Sequence, residues 1–330
     1  MSVLNQPAPE TNISEKRVRT QKPDWLKIRP PVGEQYAWLK KKSKTLALAT
    51  VCEEAQCPNI GECWSSGTAT FMVMGEVCTR GCKFCAVSTG NPNGWLDTEE
   101  PQKLADTVKQ AGWEYIVITS VDRDDLPDGG ADHFAQCIEA VKTASPNIIV
   151  EVLIPDFKGD PDALARVVNA DAEVVAQNIE TVRRLTHPVR DPRAGYDQTM
   201  SVLKRIKTLD PTRYTKSSIM LGLGETDKEV YDCMQDLRES GVDILTLGQY
   251  LQPSRKHLPV QEYVTPEKFQ EWQHVAEHDL GFLYCASGPL VRSSYRAGEF
   301  FMKGIIEKQR KNPHEDINRQ DINKETIHVG

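Results

Sequence analysis

Thr70-Phe71-Met72-Val73-Met74-Gly75-Glu76-Val77-Cys78-Thr79-Arg80-Gly81-Cys82-Lys83-Phe84-Cys85 is the stretch on which the fold turns. It begins as an apolar run with strand character and breaks at Gly75 into a polar turn carrying three cysteines. Working outward, the same strand-then-polar-turn unit recurs. Strand-like runs rich in Val, Ile, Tyr and Phe lie at Tyr115–Thr119, Ile148–Ile154, Glu173–Ala176, Ser217–Leu221, Ile244–Leu247 and Phe282–Cys285. Helical periodicity fills Thr98–Ala111, Ala131–Thr143, Pro161–Val168, Asp197–Thr208, Asp227–Ser240 and Pro266–Asp279. Thr98 and Asp197 read as N-caps, and Gly112 and Gly241 as helix stops.

Strands alternating with helices predict a parallel sheet with helices outside it. Six such units and a seventh strand predict an α/β fold, a partial (β/α)6-type TIM barrel with N-terminal and C-terminal extensions. A doubly wound sheet is the alternative. Polar or glycine-rich text follows nearly every strand: Asp122–Asp125 after the second, Pro155-Asp156 after the third, Gln177-Asn178 after the fourth, Ser287-Gly288 after the seventh. Parallel barrels build their sites at those strand ends. The expected division is an extended arm over residues 1–31, an extension over 32–68, the barrel over 69–288 and a C-terminal extension over 289–330, polar from about Lys311. A short helix is expected across Glu34–Lys44, with Tyr36, Leu39 and Trp38 turned inward.

Composition narrows the class. With 39% hydrophobic and 26% charged residues among 330, the chain has the balance of a globular protein. No apolar run reaches the length of about 18 residues that a membrane span needs. The first residues lack a signal pattern, and Glu10, Glu15 and Asp24 argue against a transit peptide, so a cytoplasmic location is expected. A net charge of −7 argues against nucleic acid. Lys16 to Lys44 nevertheless carries a local +8, leaving about −15 on the remainder.

Nine cysteines are many for a chain without secretory features, and in a reducing compartment they point to metal or chemistry. Cys78, Cys82 and Cys85 are spaced C-x3-C-x2-C in a glycine-rich turn beside Arg80 and Lys83, cations that favour thiolates. Zinc wants a paired second half-site, which the three-residue spacer does not supply. A 4Fe–4S cluster held by three thiolates keeps one iron open for a ligand. Upstream, Cys52, Cys57 and Cys63 are spaced C-x4-C-x5-C, neither a zinc pattern nor a disulfide pair. A second cluster with a non-cysteine fourth ligand fits them. Cys137, Cys233 and Cys285 lie singly in helices or a strand and read as small buried hydrophobes. His133, His187 and His257 show no metal spacing. Asp122–Asp125 reads as a solvated loop from which Arg123 could reach the site.

The downstream triplet is the signature of the radical S-adenosylmethionine superfamily, which the chain resembles. That resemblance implies that the open iron chelates S-adenosylmethionine and that reduction yields methionine and a 5′-deoxyadenosyl radical. Phe84 stands where the superfamily usually places an aromatic near the adenine. The paired triplets, Asn178-Ile179-Glu180-Thr181-Val182, Arg190-Asp191-Pro192-Arg193-Ala194-Gly195-Tyr196, Gly222-Leu223-Gly224-Glu225 and Gly288-Pro289-Leu290-Val291-Arg292-Ser293-Ser294-Tyr295 resemble the lipoyl synthase family over roughly residues 25–305. This implies sulfur insertion at the sixth and eighth carbons of an octanoyl chain carried by a lipoyl domain or H protein. It implies two molecules of S-adenosylmethionine per product, with the upstream cluster as sulfur source. It also implies Ser293 as that cluster's fourth ligand, Asn178 and Glu180 near S-adenosylmethionine or the reacting end of the substrate, and Arg190 and Arg193 at the mouth. Expected partners are an electron donor such as a flavodoxin or ferredoxin and an iron–sulfur carrier for repair. Another radical sulfur inserter, or a non-enzymatic iron–sulfur carrier, are the competing readings. A carrier would saturate its clusters with cysteine.

Overall fold

The computed structural model describes residues 22–27, 34–46, 48–54, 57, 59–65, 69–294 and 302–308. The tail from Lys311 lies outside them, as does the arm of residues 1–31 apart from 22–27, where Asp24–Leu26 make one 3-10 turn.

In chain order the elements are α1 (Glu34–Leu46), β1 (Ala49–Thr50), α2 (Val51–Glu54), α3 (Ile60–Ser65), β2 (Thr70–Val73), β3 (Val77–Cys78), β4 (Ser88–Thr89), α4 (Glu100–Ala111), β5 (Tyr115–Ser120), α5 (Ala131–Ala144), β6 (Ile149–Leu153), α6 (Pro161–Val168), β7 (Val174–Ala176), α7 (Thr186–Val189), α8 (Tyr196–Leu209), β8 (Tyr214–Leu221), α9 (Asp227–Glu239), β9 (Ile244–Gln249), α10 (Pro266–His274) and β10 (Tyr284–Gly288). One sheet runs β1-β2-β5-β6-β7-β8-β9-β10, antiparallel only where β1 meets β2. Its parallel strands follow one another in sequence order, without the reversal that defines a doubly wound sheet. Each crossover therefore lands on the next strand, which curls the sheet into a partial barrel. No pairing joins β10 to β1 or β2 among the described residues.

The strands are largely buried because helices cover the outer face of the sheet and the inner face turns into the barrel: β9 is buried at every position. The helices bury one stripe each, as α9 does with Val230, Cys233, Met234 and Leu237, behind a capping box of Thr226 and Glu229. A helix over 302–308 sets Met302, Ile305 and Ile306 against Tyr115, Ile149, Val174 and Ile244, the first residues of β5, β6, β7 and β9. The barrel is plugged at that end, and the site is left to the other.

Several expectations change. Glu99 and Gly195, not Thr98 and Asp197, stand at the two N-caps, and neither caps with its side chain. Asp97 accepts from Glu99 N at 3.0 Å, so the carboxylate one residue earlier takes over the role of Thr98. Asp197 lies inside the first turn of α8, where its charge meets the positive helix end. Gly112 and Gly241 do end their helices, with φ of 65° and 86° that suit glycine. In α1, Leu39 is buried and Tyr36 packs on Trp64 with ring centroids 5.2 Å apart, but Trp38 is 40% exposed. α2 and α3 are too short to show a period in sequence, and they carry Cys52 and Cys63.

Candidate functional site

A cavity of about 520 Å³ opens at the C-terminal strand ends. Its lining includes both cysteine triplets, together with Phe84, Asn178, Glu180, Arg190, Arg292, Ser293 and Ser294. Among the described residues no cysteine is in a disulfide. Cys137, Cys233 and Cys285 are buried and line no part of this cavity.

The loop with Cys78, Cys82 and Cys85 is launched by a left-handed turn at Met74 and Gly75, φ 67° and 85°. Glu100 fixes that turn by accepting from Met74 N at 2.9 Å, and His133 Nε2 lies 2.7 Å from the same oxygen. Glu100, His133 and Cys137 thus cluster like metal ligands but act as a brace, which accounts for the buried histidine.

Arg80 is the loop's second anchor. The residue is 4% exposed, and its guanidinium reaches Asp122 at 3.3 Å, Asp124 at 2.9 Å and Asp156 at 2.7 Å, carboxylates that follow β5 and β6. The run Asp122–Asp125 is therefore an ion-pair network rather than a solvated loop. Arg123 does not reach the cavity. It is 1% exposed and is spent on Asp125 at 2.8 Å and Met74 O at 3.2 Å. Asp122 lines the cavity 3.9 Å from Cys78 Sγ, and burial, against the pull of Arg80, raises its carboxyl to about 6.

The downstream thiols suit an iron–sulfur cluster. Burial pushes Cys78, Cys82 and Cys85 up to about 11, so metal must displace protons there. Backbone donors oppose that cost: Arg80 N is 3.4 Å from Cys78 Sγ, and Asp191 N is 3.3 Å from Cys82 Sγ. Cys85 is held from behind, its carbonyl oxygen 2.9 Å from His257 Nε2. Around them Ser120 Oγ, Gln177 Oε1, Asn178 Oδ1 and Arg190 Nε are buried without partners among the described residues, and all four side chains line the cavity. Donors and acceptors side by side are what a ligand with both amino and carboxylate groups requires. Glu180 sits at φ 68°, rare for a residue with a side chain, and accepts from Asn178 Nδ2 at 3.1 Å. Burial raises its carboxyl and Arg190 lowers it. Arg190 itself donates to Thr199 Oγ1 at 3.0 Å. Arg193 departs from the expectation: it is turned onto Asp191 at 2.8 Å and Asp124 at 3.0 Å, away from the cavity lining.

The upstream set has its own donors. Burial and Cys57 push the Cys52 thiol up to about 11, while the Thr70 N–H pulls it back. Burial raises Cys57 as well, opposed by the Asn59 N–H and the Arg292 guanidinium. Asn59 Nδ2 donates to Leu290 O at 2.6 Å, and Thr70 Oγ1 donates to Ser294 Oγ at 3.0 Å. Asn59 and Thr70 carry no motif that would mark them individually in sequence, whereas Arg292 lies in the Gly288–Tyr295 stretch quoted above. The Gly222–Glu225 motif is structural: Glu225 accepts from Leu223 N at 2.9 Å and closes its own turn.

Residues 72–237 match the family model of the radical SAM superfamily, and residues 5–57 match that of the N-terminal domain of lipoyl synthase. Lipoyl synthase of Francisella tularensis subsp. novicida (strain U112) is 56% identical over 296 residues, covering 90% of each chain. Lipoyl synthase of Ectopseudomonas mendocina (strain ymp) is 57% identical over 293 residues, 89% of this chain and 83% of that one. Among solved structures, Streptococcus suis SuiB bound to its precursor peptide SuiA superposes with a TM-score of 0.53 at 10% identity, over 82% of this chain and 57% of that one. Methylornithine synthase (PylB) gives 0.51 at 14%, over 63% and 61%. At such identities these two speak for the barrel alone. With two cysteine triplets on one cavity of a partial barrel, and relatives this similar over nine-tenths of its length, the chain belongs to the lipoyl synthase family of the radical SAM superfamily.

Proposed function

We propose that this chain inserts two sulfur atoms into the sixth and eighth carbons of an octanoyl group borne by a lipoyl carrier domain or H protein. The observation that supports this reading is a single cavity lined by both thiol sets and by Ser293. Unactivated methylene and methyl hydrogens have no useful acidity, so acid–base catalysis does not reach them. When bound, S-adenosylmethionine and one 4Fe–4S cluster supply hydrogen-atom abstraction, and a second 4Fe–4S cluster supplies the sulfur.

The chain's own residues bind, orient and exclude water. Cys78, Cys82 and Cys85 hold the first cluster, Cys52, Cys57 and Cys63 the second, and Ser293 is the second cluster's fourth ligand. The engagement of Ser294 by Thr70 supports Ser293 over its neighbour. Phe84 packs near the adenine. Asn178 and Glu180, with the unpartnered Nε of Arg190, meet the amino and carboxylate ends of S-adenosylmethionine. Met72, Leu153, Ile219 and Met220 give the same cavity an apolar wall for an acyl chain. The working segments are the arm (1–31), the cysteine-bearing extension (32–68), the barrel (69–288) and the C-terminal extension (289–330). The extension and the barrel share one core through Leu39, Leu48 and Trp64.

Among the described residues no helix is long and apolar enough to cross a membrane. A cytoplasmic location accords with nine cysteines of which, among the described residues, none is in a disulfide. A flavodoxin or ferredoxin as electron donor and an iron–sulfur carrier for repair complete the expected partners.

The deciding experiment uses anaerobically reconstituted protein, which should hold about eight irons. Given reductant and octanoylated carrier, it should form 5′-deoxyadenosine and lipoyl product in a ratio of about two to one. Ser293→Ala should keep reductive cleavage and lose most product, and Ser293→Cys should hold the cluster but turn over poorly. Product at the wild-type level from Ser293→Ala would remove the serine from the ligand set.

A further inference from the structure

Asn59 and Thr70 stand within the upstream cysteine segment and just after it. Asn59 O accepts from Cys63 N at 2.9 Å while its side chain donates to Leu290 O at 2.6 Å. Thr70 lines the cavity together with Cys52, and its hydroxyl donates to Ser294 Oγ at 3.0 Å. Both residues are buried, 5% and 4% exposed, so neither contact competes freely with water. The two side-chain contacts bracket residues 290–294 at both ends, with Arg292 and Ser293 lying between them on the cavity. A third restraint comes from β9. A Cβ added at Gly248 would fall 2.2 Å from Val291 O, so the segment is pressed onto the barrel there.

We propose that Asn59 and Thr70 are positioning residues that latch the segment 290–294 onto the upstream cysteines and so present the serine oxygen to the metal. The inference rests on the reading of Ser293 as a ligand. A single hard oxygen among thiolates is the weakest member of such a set. Its retention depends on how well it is held in place, and outer partners of a ligand commonly decide that. Neither residue touches the reacting atoms in this scheme.

The test uses the reconstituted holoprotein and four variants: Thr70→Val, Thr70→Ser, Asn59→Asp and Ser293→Ala. Iron release to a ferrous chelator is followed in time, with electron paramagnetic resonance for a three-iron cluster and hydrogen exchange over residues 290–294. Thr70→Val and Asn59→Asp should each release one iron about 10- to 100-fold faster than wild type. They should also accumulate the three-iron signal and exchange faster over 290–294. Thr70→Ser, which keeps the hydroxyl, should restore wild-type release. Irons of the downstream cluster serve as the internal reference and should leave at the wild-type rate. If Ser293→Ala releases iron quickly while Thr70→Val and Asn59→Asp match wild type, the latch is wrong and the serine ligand stands. Wild-type release from Ser293→Ala itself overturns the ligand reading and the latch with it. Equal acceleration of both clusters in Thr70→Val and Asn59→Asp reduces the two residues to general packing and overturns the latch.

Discussion

Cys78, Cys82 and Cys85 share one loop of the barrel, whereas Cys52, Cys57 and Cys63 are spread over α2, a turn and α3 and are closed by residues 290–294 from the far end of the chain. The downstream loop is tied into the barrel at many points. Arg80 grips three carboxylates, Gly81 N donates to Asp191 at 2.8 Å, and Lys83 N donates to Val189 O at 2.9 Å. The upstream set is held by short helices and by Asn59 and Thr70. A site carried on a barrel loop inherits the stability of the barrel. A site closed by distant chain segments can open locally while the barrel stays folded. The first arrangement suits a cluster that must survive every turnover, and the second suits one that is dismantled to give up sulfur.

The sharpest way to break this comparison is to remove one thiol from each set. Cys82→Ala should reduce 5′-deoxyadenosine formation to background. Cys57→Ala should still form it and yield no thiolated octanoyl product, as measured by mass spectrometry of the carrier. Lipoyl product from Cys57→Ala, or undiminished cleavage from Cys82→Ala, would dissolve the division of labour.

Next in size is the anchoring of the downstream loop. Arg80→Met leaves Asp156, whose side chain is 1% exposed, without its partner. Orphaning a buried charge costs about 3–5 kcal/mol, a large part of a typical stability of about 5–15 kcal/mol. Urea unfolding should show that loss, and an unchanged midpoint would mean the loop does not depend on Arg80.

Alkali tests what the two sets share. Cys52 in one and Cys78, Cys82 and Cys85 in the other are raised from 9.0 to about 11, burial being the main cause. In the metal-free chain the folded state keeps protons that the unfolded state releases. Their contribution is therefore whole below pH 9 and is lost as pH rises from 9 to about 11. Unfolding midpoints of metal-free protein should fall across that window, and a flat profile would contradict the burial of the thiols. Iron loading should be favoured by rising pH for the same reason.

The smallest expected effect concerns the basic stretch Lys16–Lys44, of which residues 22–27 and 34–44 are described. Within it, α1 packs beside the upstream set through Tyr36 and Trp64. Neutralising Lys40, Lys41, Lys42 and Lys44 should weaken association with an acidic carrier about 10-fold at low salt and little at high salt. Unchanged affinity and salt dependence would leave the upstream region without a docking role.

The alternation of strands and helices, and hence the partial barrel, was legible in the sequence because periodicity is local: Tyr115–Thr119 and Ile244–Leu247 are strands in the structure as well. The spacing of each cysteine triplet was legible for the same reason. α2, α3 and β1 were not, since elements of 4, 6 and 2 residues have no period to display. The run Asp122–Asp125 looked solvated because its partner Arg80 is 44 residues away from Asp124 in sequence.

By itself the sequence determined two sets of three thiols, a strand-end loop for one of them and a serine motif near the end of the last strand. Only the tertiary structure decided that both sets line one cavity, that Asn59 meets a carbonyl 231 residues on, and that Thr70 meets a hydroxyl 224 residues on. Spacing along a chain fixes what neighbours do. Which distant groups meet is set by strand order and by the path the C-terminal segment takes once the barrel has curled.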